Sequence, residues 1–465
     1  MSEAAGSIRL ASAQGRWLLA AMILGSGMAF LDGSIVGLAL PAMNTDLDAG
    51  AAGVQWIVNA YTLTLAALIL VGGSLGDRLG RRRVFVMGVV GFTAASVLCA
   101  LAPTIEVLVA ARGLQGVGAA LLTPGSLAII SAAFAPRDRG PAIGVWSSFA
   151  GVMGATGPLV GGWLVDTTGW RGIFWINVPL AALVVWMAVK HVPETTGEQE
   201  PIDYAGAGLT AAALATLTYG LVDRSWLWSV IGLVLMVVFV IHQKVNPHPL
   251  VPLSLFADRV FTAANICTFA IYGALAAAEF LLVQQLQYVS GFSPLVAGLA
   301  SVPTSAIMLL FASKAGAIGS RFGPRWPMTI GPLIAAVGLL LMLRIGDDAS
   351  FWLDVIPAAI VFGAGITTLV APLTTAVLAA APDEQTGVAS GVNNAVARTA
   401  SLLAVAAIPP IAGIAGANFA DPDVFGPGFR MGLLICVGML VLSAALAVAL
   451  IHGHQVSPEK LQTDA

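Results

Sequence analysis

Six polar residues stand inside stretches that are otherwise apolar, and they are the first candidates for chemistry: Asp32, Arg112, Glu279, Asn393, Asn394 and Arg398. An ionisable side chain at the middle of an apolar span costs about 2.5 to 3.5 kcal/mol even on a lenient scale, so such residues persist where they pair or work. Asp32 lies sixteen residues beyond Arg16, roughly 24 Å along a helix, in the outer half of its span. A carboxylate in a partly dry cavity can load a proton from one side and release it when water or a cationic molecule arrives, which is the step proton-coupled exchange requires. The alternative for either acid is an ion pair with Arg112 or Arg398, or a place in an external vestibule. A second candidate set is the charged loop GSLGDRLGRRR from Gly73 to Arg83, where Asp77 stands among Arg78, Arg81, Arg82 and Arg83. The arginines alone fit a topology signal. The carboxylate among them adds a charge network that can form in one conformation and break in another. A third set is Gly154, Gly157 and Gly161, small residues on one helical face with Pro158 between them to bend the helix, followed by Gly162. Close helix packing is their plainest use.

The elements that must position these residues are membrane spans. Of 465 residues, 58% are hydrophobic and 10% charged, against roughly 25% charged in soluble domains. Apolar segments of about 20 residues, enough to cross about 30 Å of hydrocarbon, recur along the chain. Punctuation by Gly, Pro and charge gives six segments near 17–42, 53–75, 84–102, 105–132, 141–165 and 172–190. A pair follows near 204–222 and 226–243. Six more lie near 260–288, 295–313, 327–344, 352–378, 386–413 and 430–452. The expected fold is all-α, with fourteen spans: a six-helix bundle over 1–195, a linker with two additional spans over 196–250, and a second six-helix bundle with a short tail over 251–465. Lys and Arg concentrate in alternate loops, leaving only Arg171, Arg224, Arg344 and Arg430 on the poorer side, so both termini are expected to be cytoplasmic.

An internal repeat supports two halves. GAIGSRFGPRW from Gly316 to Trp326 matches the first charged loop at an offset of 243 residues, with Ser320 in place of Asp77. Two such halves are the pattern of a transporter that rocks around a site between them. Applied to Asp32 the offset gives position 275, about one turn from Glu279, so the halves are expected to present two acids to the central cavity from near-symmetric positions. Asp203, just before the seventh span, reads as a helix cap.

Other classes fit poorly. The net charge is −3 with no basic stripe, so nucleic acid is not an expected partner. Cys99, Cys267 and Cys436 lie in apolar segments without metal-ligand spacing, and the five histidines sit in loops or at segment ends, so neither metal nor cofactor is expected. The sequence has no P-loop pattern and no nucleophile–base set, against an ATP-driven pump or an enzyme.

Several longer motifs occur in order. GxLxDRxGRR stands at Gly73, Leu75, Asp77, Arg78, Gly80, Arg81 and Arg82; LDGSIVGLALP runs from Leu31 to Pro41; RxxQGxGAA runs from Arg112 through Gln115 to Ala120; Gly157, Pro158, Gly161 and Gly162 carry GPxxGG; INVPL begins at Ile176 and SGVNNAVAR ends at Arg398. Over nearly its whole length the chain resembles the major facilitator superfamily, and within it the fourteen-helix drug:proton antiporters of the EmrB/QacA type. The resemblance implies a plasma-membrane multidrug efflux transporter driven by the proton gradient and associated with antibiotic resistance. Its expected partners are small amphipathic, including cationic, substrates, protons and the lipid bilayer, with the chain acting as a monomer. It also implies that Gly73, Asp77, Arg78, Gly80 and Arg81 latch the inward-closed arrangement, that Arg112 biases protonation of a nearby carboxylate, and that the fifth-span glycines are of exporter type. The family usually continues with glutamine after Arg398, where this chain has Thr399. A transporter specific for one metabolite or lipid-like compound, or an importer, is the other reading.

Overall fold

The computed structural model describes residues 8–197, 201–382, 385–416 and 419–451, without the side chains of 147, 148, 150–155, 312, 313 and 316–322. These residues form sixteen α-helices: α1 Ala13–Leu47, α2 Gly50–Leu79, α3 Arg81–Ala100, α4 Ile105–Ala133, α5 Pro136–Thr168, α6 Gly172–Trp175, α7 Asn177–His191, α8 Tyr204–Val222, α9 Trp226–Val245, α10 Arg259–Gln284, α11 Pro294–Leu299, α12 Val302–Phe322, α13 Arg325–Met342, α14 Ile356–Ala379, α15 Thr386–Ile411 and α16 Pro422–Leu450. Thirteen helical segments among the described residues are long and apolar enough to cross a membrane. The chain is therefore an all-helical, multi-pass membrane protein.

Local sequence explains where helices stop. Ser12 accepts a hydrogen bond from the Gly15 amide to cap α1, and Asp258 and Ser293 do the same for α10 and α11. Gly80, with φ of 106°, turns the chain between α2 and α3 in a conformation that favours glycine. Two expectations about boundaries change. The last span begins at Pro422, capped by Asp421, so Arg430 lies inside α16 and not in a loop. The expected segment 295–313 is broken into α11 and α12, with Pro303 in the first turn of α12.

Packing repeats between the halves. In the first, α1 packs on α5 and α7, α4 on α2 and α3, and α3 on α7. In the second, α10 packs on α15 and α16, α14 on α12 and α13, and α13 on α16. The halves meet along two seams, α2 with α15 and α5 with α11 and α12. Helices α8 and α9 pair with each other, and α8 leans on both α2 and α15, flanking the first seam. Glycines bring helices to backbone contact in both halves: Gly118 lies against Phe92 of α3, and Gly338 against Phe362 of α14.

Candidate functional site

A cavity of about 310 Å³ lies between the halves, with α1, α2 and α4 on one side and α10 and α15 on the other. Phe30, Val58, Phe280 and Val283 give it apolar walls, and Ser34, Tyr61, Thr62, Glu279 and Arg398 give it polar points. It shares Phe30, Thr123, Arg398 and Ser401 with a wider space of about 820 Å³ that runs to Asp77 near the end of α2, Arg81 at the start of α3 and Gly387 at the start of α15. At the opposite end the halves touch. Gln287 donates to the Leu38 carbonyl at 3.1 Å, and the Leu295 amide donates to Asp166 at 3.3 Å. The site is thus open toward the charged loop and closed away from it.

The α5 glycines build that closed end. A Cβ on Gly157 would meet the Ser34 hydroxyl, and one on Gly161 would run into Ile35, both on α1. Gly162 faces the other half, against the backbone of Pro294 and Leu295, while the Pro158 carbonyl meets Gly298 of the second half. The surroundings of Gly154 lie outside the described residues. The motif therefore serves two contacts, one inside its half and one across the seam.

The expected symmetric pair of acids is not what the cavity presents. Asp32 turns away from it, with its side chain 1% exposed, onto Arg112. Arg112 Nη1 donates to Asp32 Oδ2 and, at 2.7 Å, to Gln115 Oε1; Gln115 Nε2 donates to Asp32 Oδ1 at 2.7 Å and to Ser96 at 2.9 Å. Asn177 donates to Ser96, Arg112 Nε donates to the Ile57 carbonyl at 3.0 Å, and the guanidinium lies over the Tyr61 ring at 4.5 Å. One ion pair thus ties together α1, α2, α3, α4 and α7. Breaking such a pair from one side leaves a buried charge uncompensated, so its geometry resists change. Glu279, by contrast, is exposed to the cavity and has no hydrogen bond or ion pair among the described residues. It also borders a third space of about 200 Å³ reaching Ser301, Thr304 and Ser305.

Arg398 lines the cavity without an ion pair among the described residues, and Asn394 faces the wider space. Asn393 donates to Asn265 at 3.1 Å and Thr268 at 2.8 Å, fastening α15 to α10. Asp77 pairs with Arg81 at 2.8 Å within the same loop, and Arg81 donates to the Ala128 carbonyl of α4. Arg78 is exposed, and a Cβ added at Gly73 would meet only Pro124, at an ordinary 3.8 Å. Glu194, absent from the sequence candidates, accepts from the Arg82 amide at 3.0 Å and pairs with Arg82 and Arg83 at 3.5 and 3.7 Å. The described contacts of this loop stay within the first half and the segment that follows it. The second copy of the loop falls largely on side chains outside the described residues.

The sequence profile of the Major Facilitator Superfamily matches residues 22–405 and again 264–463. The chain belongs to the major facilitator superfamily. Within this superfamily it is 37% identical over 387 residues to the multidrug resistance protein Stp of Mycobacterium tuberculosis, covering 80% of this chain and 71% of that protein. It is 31% identical over 465 residues to the methylenomycin A resistance protein of Bacillus subtilis, covering 97% and 98%. The fold is similar to the crystal structure of a D-xylose-proton symporter, with a TM-score of 0.68 at 17% identity over 94% of this chain and 98% of the other. This facilitator is accordingly a transporter of a family that includes drug and antibiotic resistance proteins.

A polar cluster of the facilitator outside the cavity was legible only in part. Asp203 caps α8 through the Gly206 amide at 2.8 Å, as its position suggests, and also receives His242 and Gln243, each at 2.8 Å. Burial opposes ionisation of Asp203, and the hydrogen bonds from His242, Gly206 and Gln243 more than offset it, holding the carboxyl below the usual range. The signal for His242 and Gln243 was their place at the end of α9, which only the α8–α9 pairing brings to Asp203.

Proposed function

We propose that this protein is a fourteen-span drug:proton antiporter of the EmrB/QacA type, with both termini cytoplasmic, that exports small amphipathic molecules across the plasma membrane by alternating access. Residues 1–195 and 251–465 act as the two rocking bundles, and 196–250 braces them. The observation that carries the reading is Glu279, an acid without a partner among the described residues, facing a cavity that is open at one end and sealed at the other. On this reading the open end faces the cytoplasm, because the arginine-rich loop borders it.

The cycle follows from that geometry. A substrate enters past the charged loop, settles against the apolar walls and displaces the proton of Glu279. Rocking then separates α5 from α11 and closes the seam beside Asp77, where that loop latches the closed state. After release outside, Glu279 takes up a proton and loses its charge, which permits return through a water-poor intermediate. Asp32 and Arg112 hold the first bundle rigid. The names of Stp and the methylenomycin A resistance protein support drug-like substrates.

The test is proton movement in everted vesicles when a panel of lipophilic cations, zwitterions and neutral drugs is added. Proton release into the medium on the cytoplasmic face upon substrate addition supports antiport. No response to any compound by folded protein refutes the multidrug reading and favours a transporter for a single metabolite, whereas co-directional movement of proton and substrate would make it an importer.

A further inference from the structure

Three charged residues line the central cavity; Arg112 is neutralised by its ion pair with Asp32, whereas Glu279 and Arg398, one of each sign, do not neutralise each other. Glu279 borders both the central cavity and the closed-end space, whereas Arg398 borders both the central cavity and the open-end space. They therefore stand toward opposite ends of one chamber. Their helices fix the separation. Asn393 bonds Asn265, and the Ser401 hydroxyl bonds the Tyr272 carbonyl, which sets α15 and α10 side by side and parallel in one register. Arg398 is then level with Phe269 and Ala270, and Glu279 lies nine or ten residues further along. At 1.5 Å per residue this is about 14 Å between backbones, which side-chain reach shortens.

We propose that the cavity selects amphoteric molecules: an aromatic or alicyclic body with a cationic group held by Glu279 and an anionic group, several ångströms away, held by Arg398. This rests on the export reading of the same cavity. Arg398 shares the lining of these spaces with Tyr61 and Tyr272 and has no carboxylate partner among the described residues, and Glu279 has no ion pair or hydrogen bond among them. Rocking must remove water from the chamber, and each charge left uncompensated at that moment is costly. A monocation satisfies Glu279 and strands Arg398; a monoanion does the reverse. A molecule carrying both groups at the right spacing satisfies the pair, and Phe30, Val58, Phe280 and Val283 cover its body. An α-amino acid is too short to span the two.

The experiment measures equilibrium binding by fluorescence anisotropy to the full-length protein in nanodiscs, with three dyes of one shape: a rhodamine with a free benzoate, its methyl ester, and fluorescein, which lacks the cationic end. The free-acid rhodamine is expected to bind on the order of tenfold more tightly than the ester or fluorescein, a difference of about 1.4 kcal/mol. Arg398→Gln should bring the acid-to-ester ratio to about one while ester binding persists, which also shows that the variant is folded; Arg398→Lys should keep part of the preference. Glu279→Gln should weaken both rhodamines alike. Equal or tighter binding of the ester to the wild type, a preference that survives Arg398→Gln, or no binding of either rhodamine each overturns the proposal. Proton release evoked by other compounds in the vesicle assay would leave export standing in those cases, so the two readings fail separately.

Discussion

Asp32 on α1 and Glu279 on α10 stand within about one turn of each other in the register of the internal repeat, yet their surroundings differ completely. Asp32 meets Arg112 and Gln115 of α4, with Ser96 and Asn177 behind them. In the second half, α14 takes the place of α4 and carries no charged residue between Ile356 and Ala379, and at the offset of Ser96 stands Leu339, fully buried in an apolar core. An acid on α10 finds no partner on that side and faces the cavity instead. On the proposed reading the halves divide the work that one sequence pattern suggested for both: the first commits its acid to rigidity, and the second keeps its acid available to a proton or a ligand. The two seams also differ, since the α5–α11 contact is backbone-tight while the α2–α15 seam borders the open space.

The sharpest way to break this comparison is to unpair Asp32. Arg112→Gln should destabilise the purified protein by about 3 to 5 kcal/mol in thermal or denaturant unfolding, because a buried carboxylate loses its compensation. Asp32→Asn with Arg112→Gln should recover a large part of that loss, a coupling that independent sites would not show. Gly162→Ala should cost about 1 to 3 kcal/mol in the closed-end arrangement, since a methyl group has no room against Pro294 and Leu295. Its readout is faster labelling, from the closed side, of a cysteine introduced at Val283.

Smaller effects sharpen the contrast. Asp203→Ala should cost about 1 kcal/mol near neutral pH through loss of the α8 cap. Because the Asp203 carboxyl titrates below the usual range, its contribution is complete above the unfolded value of about 3.9 and fades as pH falls through the lower folded value. Unfolding measured at descending pH should therefore show the variant and wild type converging below about pH 4. Smallest of all, Glu279→Gln should change stability by no more than about 0.5 kcal/mol, since it alters a carboxyl that makes no hydrogen bond or ion pair among the described residues.

The sequence made the helices legible because apolar segments of membrane length are set off by Gly, Pro and charge, and the repeat was legible because Gly73–Arg83 and Gly316–Trp326 share glycine and arginine spacing. Asp32, Arg112 and Glu279 stood out because ionisable residues are rare in such segments. Which acid pairs and which stays free was not legible, because it depends on helix rotation: nothing local tells whether residue 32 points at α4 or at the other half. Glu194 escaped notice for a different reason. It lies in a polar segment where charge is ordinary, and only the fold brings it to the amide of Arg82. The break between α11 and α12 did carry a signal, Pro303, which stands in the first turn of α12, but the mostly apolar segment 295–313 is long enough for one span and was read as such.

The most direct test of the division between the two acids is substrate-evoked proton release from everted vesicles, compared for the wild type, Glu279→Gln and Asp32→Asn at matched amounts of folded protein. The account predicts that Glu279→Gln abolishes proton release while leaving the protein as stable as the wild type, and that Asp32→Asn lowers stability but retains release per folded molecule. Release that persists in Glu279→Gln and vanishes in a well-folded Asp32→Asn would contradict it and return the coupling role to the first half.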